Sequence, residues 1–386
     1  MLTFCLIVAV IGTISSWIYC LLAGRAASHF KKTQTAIVTK QRPEPVSVLK
    51  PVHGEESGLE ENLITFFEQD HPDFELLFCA RTLADPALSV VRRLASRYPG
   101  VRTRIIASGE PAWPNARAFS VNALIAQAKN PTVVITDSDV RVNRNFLSEV
   151  VGPISQPEVG LVTCLYRGVS LGGLPSNLEA LGMSVELMSN VLIANMLNGM
   201  DFALGPATAT TRAHIERIGG LKESGLYYAD DFALGNIIDQ SGLQVVLAPA
   251  VVEHVVPRNS LLASLRHQLL WMKNNRYLRP KGHIGVGLTF AMPYAVLGCC
   301  ASWIMGHHVE AFAWLLAGVI NCLMRSILIG WGVVGDPIAL RRAWLYPLRD
   351  LLGFGTWLSA WFGNKIHFRG DRYILLHSGK VQRVSP

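Results

Sequence analysis

Asp137 and Asp139 close a run of strand-forming residues, Thr132-Val-Val-Ile-Thr136, with one serine between them. Two carboxylates at a strand end can hold a divalent ion through oxygen ligands, and the ion can bridge the phosphates of a nucleotide. A solvated turn would use the same residues. Asp230 and Asp231 open a helical run that continues to Ile238. One acid there answers the helix dipole; the second exceeds what a cap requires and is a candidate general base. Asp85-Pro86 reads as a helix N-cap or as a nucleotide contact. Asn115-Ala-Arg117, with Asn122, offers a cation for a diphosphate or for a surface ion pair. Residues 260–281 interleave Leu261, Leu262, Leu265, Leu269, Trp271 and Met272 with Arg266, Lys273, Arg276, Arg279 and Lys281. A basic, Trp-bearing helix of this kind lies in a membrane interface, where it would hold a cleft against the bilayer; a solvated charged face is the plainer reading.

These residues need a scaffold. Short β-rich runs at 46–49, 74–79, 104–107, 132–136 and 161–165 read as strands. Helical patterns alternate with them: 57–69, opened by Ser57 and Glu60 as a capping box; 86–98, with Pro86 in its first turn; and 117–129. Strand–helix alternation predicts an α/β fold, a mainly parallel sheet with helices on both faces. Ligands in such sheets sit beyond the carboxyl ends of the strands, which is where Asp85 and the Asp137–Asp139 pair stand.

The chain has 386 residues, 50% of them hydrophobic but only 16% charged, with a net charge of +7. Soluble domains carry about 25% charged residues. The composition excludes disorder, collagen-like repeats and a small disulfide scaffold. The seven cysteines form no C-x-x-C pair and read as small hydrophobes in a reducing compartment. Residues 2–23 carry no charge and suffice to cross a bilayer. No basic start precedes them and Arg25, Lys31, Lys32, Lys40 and Arg42 follow, so they read as an anchor rather than a signal peptide, with the following chain in the cytosol. Residues 284–304 and 311–334 are further spans, the second interrupted by Arg325. Residues 344–362 contain Arg349 and Asp350 and read as re-entrant or interfacial. The expected layout is a transmembrane helix at 1–23, a basic linker at 24–44, a globular domain at 45–258, an interfacial amphipathic helix at 259–281, a membrane region at 282–363 and a basic cytosolic tail at 364–386.

Taken in order, these features resemble the membrane-bound GT-A glycosyltransferases related to ceramide glucosyltransferase, including their bacterial hopanoid-associated branch. The resemblance rests on Ser47-Val-Leu-Lys-Pro-Val-His-Gly54, Glu61-Asn-Leu-Ile-Thr-Phe-Phe-Glu-Gln-Asp-His-Pro72, Asp85-Pro-Ala87, Asp137-Ser-Asp-Val-Arg-Val142, Val159-Gly-Leu-Val162, Gly219-Gly220 and Ala229-Asp-Asp-Phe232. It implies a Rossmann-like GT-A domain that moves a sugar from a UDP-sugar to a lipid hydroxyl with a divalent cation, Mg2+ or Mn2+. It implies an integral protein of a bacterial inner membrane with its catalytic domain in the cytoplasm, and no nucleic-acid partner. By the same resemblance Asp85 faces the donor's nucleotide, Asp137 and Asp139 the metal and diphosphate, and Asp231, beside Asp230, is the base. Lys50 and Arg117 match donor-side cations.

The family's last motif reads Gln or Arg, two residues, then Arg-Trp. Here the segment is His267-Gln-Leu-Leu-Trp271, so His267 and Leu270 stand at the first position and at the Arg. His267 and Trp271 remain donor-side candidates, with Arg266 or Lys273 as neighbouring sources of charge. Residues 178–197, apolar and Met-rich, are expected chiefly to pack into the core, some lining an acceptor path. The competing functions are a hopanoid or diacylglycerol glycosyltransferase, a processive polysaccharide synthase, a glycoside hydrolase, and a non-catalytic membrane protein on a transferase scaffold.

Overall fold

The computed structural model describes residues 1–36, 44–368 and 371–384. Eight strands form one sheet: β1 (Val46–Pro51), β2 (Phe74–Ala80), β3 (Arg102–Ala107), β4 (Thr132–Thr136), β5 (Val140–Arg141), β6 (Val159–Ser170), β7 (Ala207–Thr211) and β8 (Gln244–Val256), in the order β3-β2-β1-β4-β7-β6-β8-β5. The first four in that order are parallel, with Val48 opposite both Leu76 and Val134. β7 runs antiparallel to β4 and β6, β8 runs parallel to β6, and β5 is antiparallel to β8. The result is a mixed, mostly parallel sheet with helices packed on it. β1 and β4 read as continuous apolar runs because both faces are covered. β3, at one end of the order, carries Arg102 and Arg104 on a partly exposed strand, which blunts an edge.

The helices are α1 (Leu2–Ala36), α2 (Leu59–Phe67), α3 (Ala87–Arg97), α4 (Ala116–Gln127), α5 (Phe146–Ile154), α6 (Leu174–Leu181), α7 (Met188–Asn198), α8 (Arg212–Arg217), α9 (Asp230–Gln240), α10 (Leu261–Leu278), α11 (Pro280–Gly287), α12 (Met292–Ile304), α13 (His308–Arg325), α14 (Pro337–Arg341) and α15 (Tyr346–Ser359). The expected capping box at Ser57 and Glu60 does not form. Gly58 takes the N-cap position with φ +77, and Glu60 instead pairs with Arg93 on α3. α1 continues to Ala36, so most of the expected basic linker is helix; residues 37–43 lie outside the described residues. Ala23, Ala26, Ala27 and Phe30 bury against the core of the sheet domain, which is why the helix does not end at the last apolar residue of the expected span.

Among the described residues, three helices are long and apolar enough to cross a membrane: Leu2–Gln34, Leu174–Asn198 and His308–Trp331. The second, α6 and α7 joined by a π-helical turn, packs on β6, α1, α10 and α15 and forms the seam between the sheet and the apolar helices. The expected straight span at 284–304 is a pair, α11 and α12, bent by 43°. Asp350 on α15 explains the break: its Oδ2 accepts from the amides of Ala291 and Met292, both at 2.8 Å, and so caps the start of α12. Its Oδ1 receives Arg325 Nη2 at 2.6 Å, and both side chains are 1% exposed. Two of the three charges that interrupt the apolar runs therefore face each other, and the third, Arg349, pairs with Glu186 at 2.9 Å. α15 itself, at 14 residues, is too short for a span.

The expected basic tail is a second sheet, β9 (Lys365–Phe368), β10 (Asp371–Leu375) and β11 (Val381–Val384), antiparallel throughout. Ile366, Tyr373, Leu375 and Val381 close on Leu270 of α10, with Tyr228 and Tyr277 alongside. Three short strands with charged outer faces carry too weak a period to stand out from a tail.

Breaking a buried pair by removing one partner costs about 3–5 kcal/mol. Arg325→Met should accordingly lower the melting temperature of the detergent-solubilised chain. Arg325→Met with Asp350→Asn, which removes both charges and keeps the carbonyl that caps α12, should recover most of the loss. An unchanged melting temperature in the single variant would show that the pair carries no stability.

Candidate active site

β4 delivers the chain into the turn Asp137-Ser138-Asp139, and each backbone carbonyl of that turn has a fixed donor. Lys50 Nζ donates to Asp137 O at 2.7 Å, Asn62 Nδ2 to Ser138 O at 3.2 Å, and the amide of Val255 to Asp139 O at 2.8 Å. The backbone is thus clamped from β1, α2 and β8, and the carboxylates of Asp137 and Asp139 project into a cleft of about 710 Å3. Lys50 was expected to face a donor, but it is wholly buried beneath the cleft rather than in it. It also donates to Thr136 Oγ1 at 3.3 Å and stands 3.5 Å from the centre of the Phe66 ring. Burial pulls its pKa down to about 7, against the pull of Asp137, Asp139 and Glu56.

Arg117, in the first turn of α4, joins two acidic motifs. Its Nε donates to Asp137 Oδ1 at 2.6 Å, its Nη1 to Asp230 Oδ2 at 2.7 Å, and its Nη2 to Gly205 O at 3.1 Å. Burial works against its charge, yet Asp137, Asp230 and Asp231 hold its pKa above the ordinary arginine value. Asn115 caps α4 through Ala118 N and clips the entry to α9. Its Nδ2 lies within 3.2 Å of the carbonyls of Tyr227 and Tyr228 and of Asp230 Oδ1. Gly225 permits this approach, since a Cβ there would fall 2.7 Å from the Trp113 ring.

Asp231 follows at the first turn of α9, half-buried. Burial, and then the charge of Asp230, push its carboxyl up to about 7, with Arg117 and the Phe232 amide opposing. Burial likewise raises Asp137 against the pull of Arg117. Gly205 keeps the space between the carboxylates open: a Cβ there would stand 3.1 Å from Asp231 Oδ2 and 3.8 Å from Asp137 Oδ2.

Among the described residues no group of three or more His, Cys, Asp and Glu side chains is arranged to hold a metal ion alone. A magnesium-like ion bound through one or two carboxylates, and completed by water and substrate phosphates, needs no such group. Asp139 Oδ1 is buried without a hydrogen-bond partner, and Asp139 lines the same cleft as Asp137. The oxygen set of Asp137 and Asp139 fits a hard cation on those terms.

The other expected residues divide. Asp85 accepts from the amides of Gly54 and Ala87 at 2.9 and 3.0 Å and lies 3.2 Å from His53 Nδ1. It therefore stands behind His53, which lines the cleft where Asp85 does not. His267 and Trp271 line the cleft, but both nitrogens of His267 are engaged: Nδ1 lies 2.6 Å from Glu179 Oε1, and Nε2 is 3.0 Å from Trp271 Nε1. An indole nitrogen only donates, so Nε2 accepts and the proton of the neutral ring sits on Nδ1, toward Glu179. Neither Arg266 nor Lys273 lines the cleft; Lys273 Nζ reaches Lys365 O at 3.3 Å.

A second cavity of about 410 Å3 opens beside the first, lined by Leu187, Val191, Ala194, Phe202, Leu204, Phe232, Met272 and Val286. Of the four aspartates above, Asp231 alone lines both spaces. Met183, Leu187, Val191 and Ala194 come from the apolar segment at 178–197, while Leu178, Leu181, Val185 and Leu192 of that segment are core. Sequence reasoning missed His254, whose Nε2 is 3.7 Å from Asp139 Oδ2, and missed Tyr373 and Arg383 of the C-terminal sheet, which also line the cleft. A lone His inside an apolar strand gives no signal of its own, and the sheet residues become neighbours only once that sheet is docked.

The sequence pattern of Glycosyl transferase family 21 matches residues 4–381. Ceramide glucosyltransferase 1 of Caenorhabditis elegans is 26% identical over 214 residues, 54% of this chain and 46% of that protein. Ceramide glucosyltransferase 3 of the same organism is 24% identical over 355 residues, 87% of this chain and 74% of that protein. The chain therefore spans about half the length of the first relative and three-quarters of the second. A mannosyltransferase from Pyrobaculum calidifontis, solved in complex with GDP-Man and Mn2+, superposes with a TM-score of 0.50 at 19% identity, covering 91% of this chain and 99% of that one.

Arg117 carries the electrostatic balance of the site. Hydrogen bonds to charged groups contribute about 1.5–3 kcal/mol, so Arg117→Met should destabilise the protein by about that amount. With the guanidinium gone, the folded-state pKa of Asp137, already raised by burial, rises further. The variant's deficit in melting temperature should therefore grow as pH rises above the ordinary carboxyl range of about 4, as Asp137 is forced to ionise unpaired. A deficit that is constant with pH would assign Arg117 a packing role only.

Proposed function

We propose, from the premise that the chain belongs to glycosyl transferase family 21, that it is a membrane-bound inverting transferase. It would move one sugar from a UDP-sugar to the hydroxyl of a membrane lipid of the ceramide kind. The observation that carries this reading is the place of Asp231, at the junction of a polar, carboxylate-floored cleft and an apolar cavity. A nucleotide sugar suits the first space and a lipid the second. The reacting hydroxyl then arrives beside a carboxylate that takes up a proton near neutral pH, the range in which a general base works best.

In this mechanism Asp231 removes the proton of the lipid hydroxyl as its oxygen attacks the anomeric carbon. The new carbon–oxygen bond forms on the face opposite the departing nucleoside diphosphate, so the configuration inverts. Asp137 and Asp139 would hold a Mg2+ or Mn2+ ion, which neutralises diphosphate charge. Arg117 favours the ionised form of Asp137 against its burial and fixes the entry of α9, and so the position of Asp231. His267, held between Glu179 and Trp271, lines both spaces where they meet. The basic residues after the first apolar stretch and after the third favour the cytoplasmic side for the cleft, and the resemblance to the bacterial branch favours an inner membrane. The relatives' names favour ceramide and glucose over a hopanoid or diacylglycerol acceptor. An apolar second cavity favours a lipid over a growing polysaccharide.

The test is the full chain in nanodiscs with UDP-glucose and ceramide, read by mass spectrometry of the lipid and by UDP release. Asp231→Asn should lower kcat by about 10²–10⁴-fold and leave UDP affinity intact. Wild-type kcat/KM should rise with pH through about 7, as Asp231 loses its proton. Transfer by the variant at near wild-type rate would remove Asp231 as the base, and a polymeric product would replace the monoglycosyl reading.

A further inference from the structure

Among the described residues, the charged side chains that line the apolar cavity are Glu179, Glu186, Asp231, Arg279 and Arg349. Three have their tasks. Glu179 accepts from Ser264 and faces His267, Arg279 pairs with Asp201, and Asp231 is the proposed base. The remaining two face each other: Arg349 Nη2 lies 2.9 Å from Glu186 Oε2. Arg349 is 6% exposed and Glu186 8%. Glu186 sits in the π-helical turn of the seam, inside a segment apolar enough to cross a membrane, and Arg349 stands near the start of α15. Ionisable residues in such surroundings are costly, turn toward an interior or a cavity, and mark substrate paths.

This pair is built differently from the Arg325–Asp350 pair. Asp350 commits its two oxygens to Arg325 and to the start of α12, and neither Arg325 nor Asp350 lines the cleft or the cavity. Arg349 gives one nitrogen to Glu186, while its Nε and Nη1 are buried without a hydrogen-bond partner among the described residues. Two glycines make room for the guanidinium. A Cβ at Gly182 would fall 2.2 Å from Nε, and one at Gly353 would fall 2.8 Å from Nη1 and 3.0 Å from Glu186 Oε2. Gly182 lines the same cavity. Buried donors without acceptors are costly and rare in folded proteins. Here both belong to one side chain on the wall of the space assigned to the lipid.

We propose that Arg349, held by Glu186, is an acceptor-binding residue whose unpaired N–H groups hydrogen-bond the amide carbonyl of an N-acyl lipid, the lipid whose hydroxyl lies at Asp231. This rests on the acceptor reading above. Glu186 already balances the guanidinium charge, so the site suits a neutral oxygen rather than a phosphate. A carbonyl oxygen has two lone pairs and accepts from two donors. A site that hydrogen-bonds a substrate group discriminates strongly against an analogue lacking it, because the site's own buried groups are then left unpaired. Arg349 thereby selects the lipid, while Asp231 acts on its hydroxyl.

The experiment is equilibrium binding of tritiated N-hexanoyl-sphingosine, a short-chain ceramide, to the full chain in detergent micelles. The label is displaced by unlabelled ceramide or by a 1,2-dialkylglycerol, which keeps a primary hydroxyl and has no carbonyl. Wild type and Arg349→Lys are compared, with melting temperatures checked; lysine keeps the charge opposite Glu186 and loses the forked donors. Wild type should bind ceramide about tenfold or more tightly than the dialkylglycerol. Arg349→Lys should lose about tenfold or more for ceramide, with the dialkylglycerol and UDP affinities unmoved. An unchanged ceramide affinity in the variant, or a loss shared equally by both lipids, overturns the proposal. Should Arg349→Lys fail to fold, wild type alone decides, and equal affinity for the two lipids overturns the proposal. Ceramide that binds wild type but is not glycosylated from UDP-glucose overturns the transfer reading and leaves this site standing. A wild type that binds neither lipid overturns both.

Discussion

One guanidinium holds two carboxylates that the chain supplies from places 93 residues apart (230 minus 137). Arg117 lies between Asp137, at the end of a parallel strand, and Asp230, at the start of a helix on the far side of the sheet's antiparallel insertion. Without it, the acids gathered at this rim would repel one another and the loop into α9 would lose its anchor. With it, the charges are graded. The two bonded acids carry the balance of the arginine, while Asp231, one residue on and without such a bond, feels burial and its neighbour's charge and rises to about 7. Two adjacent aspartates thereby acquire different tasks, which is the usual way one environment separates a base from a fixed charge.

The support beneath this arrangement consists of backbone clamps. The three carbonyls of Asp137-Ser-Asp139 are each satisfied from a separate element, so the turn cannot relax toward its own side chains. Lys50 does this from full burial, with a depressed pKa and an aromatic face beneath it. A buried amine is tolerated where it meets oxygen acceptors on one side and a π-system on the other. Its position is explained by structural service to the carboxylates rather than by contact with a ligand.

Legibility in the sequence followed the strength of the local signal. The buried strands of the sheet announce themselves as apolar runs, and the acids at their ends stand out because polar residues rarely follow such runs without cause. Asp137, Asp139, Asp230 and Asp231 were readable on that ground, and so was Arg117, two residues past an N-capping Asn. What was not readable depends on partners distant in the chain. Lys50 looks like a ligand-facing cation until the Asp137 carbonyl is placed over it. Leu270 looks like a deletion of function until Ile366, Tyr373, Leu375 and Val381 surround it. Ser57 and Glu60 have the spacing of a capping box, but Gly58 adopts a backbone conformation that moves the helix start past the serine. The two charged interruptions at Arg325 and Asp350 are individually costly in apolar runs, and only their juxtaposition makes both affordable.

The seam helix completes the logic. α6 and α7 present one side to the sheet and another to α1 and α15, and the π-helical turn between them shifts the register of the side chains by a fraction of a turn. Glu179, one turn before that irregularity, reaches His267 on α10, and Met183, just inside it, lines both spaces. The polar cleft and the apolar cavity therefore meet where a helix from the membrane side faces a helix from the interface side: Glu179 and Met183 on one, His267 and Trp271 on the other, line both spaces, as does Asp231. In the proposed transfer that continuity is what permits a strongly hydrated donor and a membrane-soluble acceptor to meet at a single carboxylate.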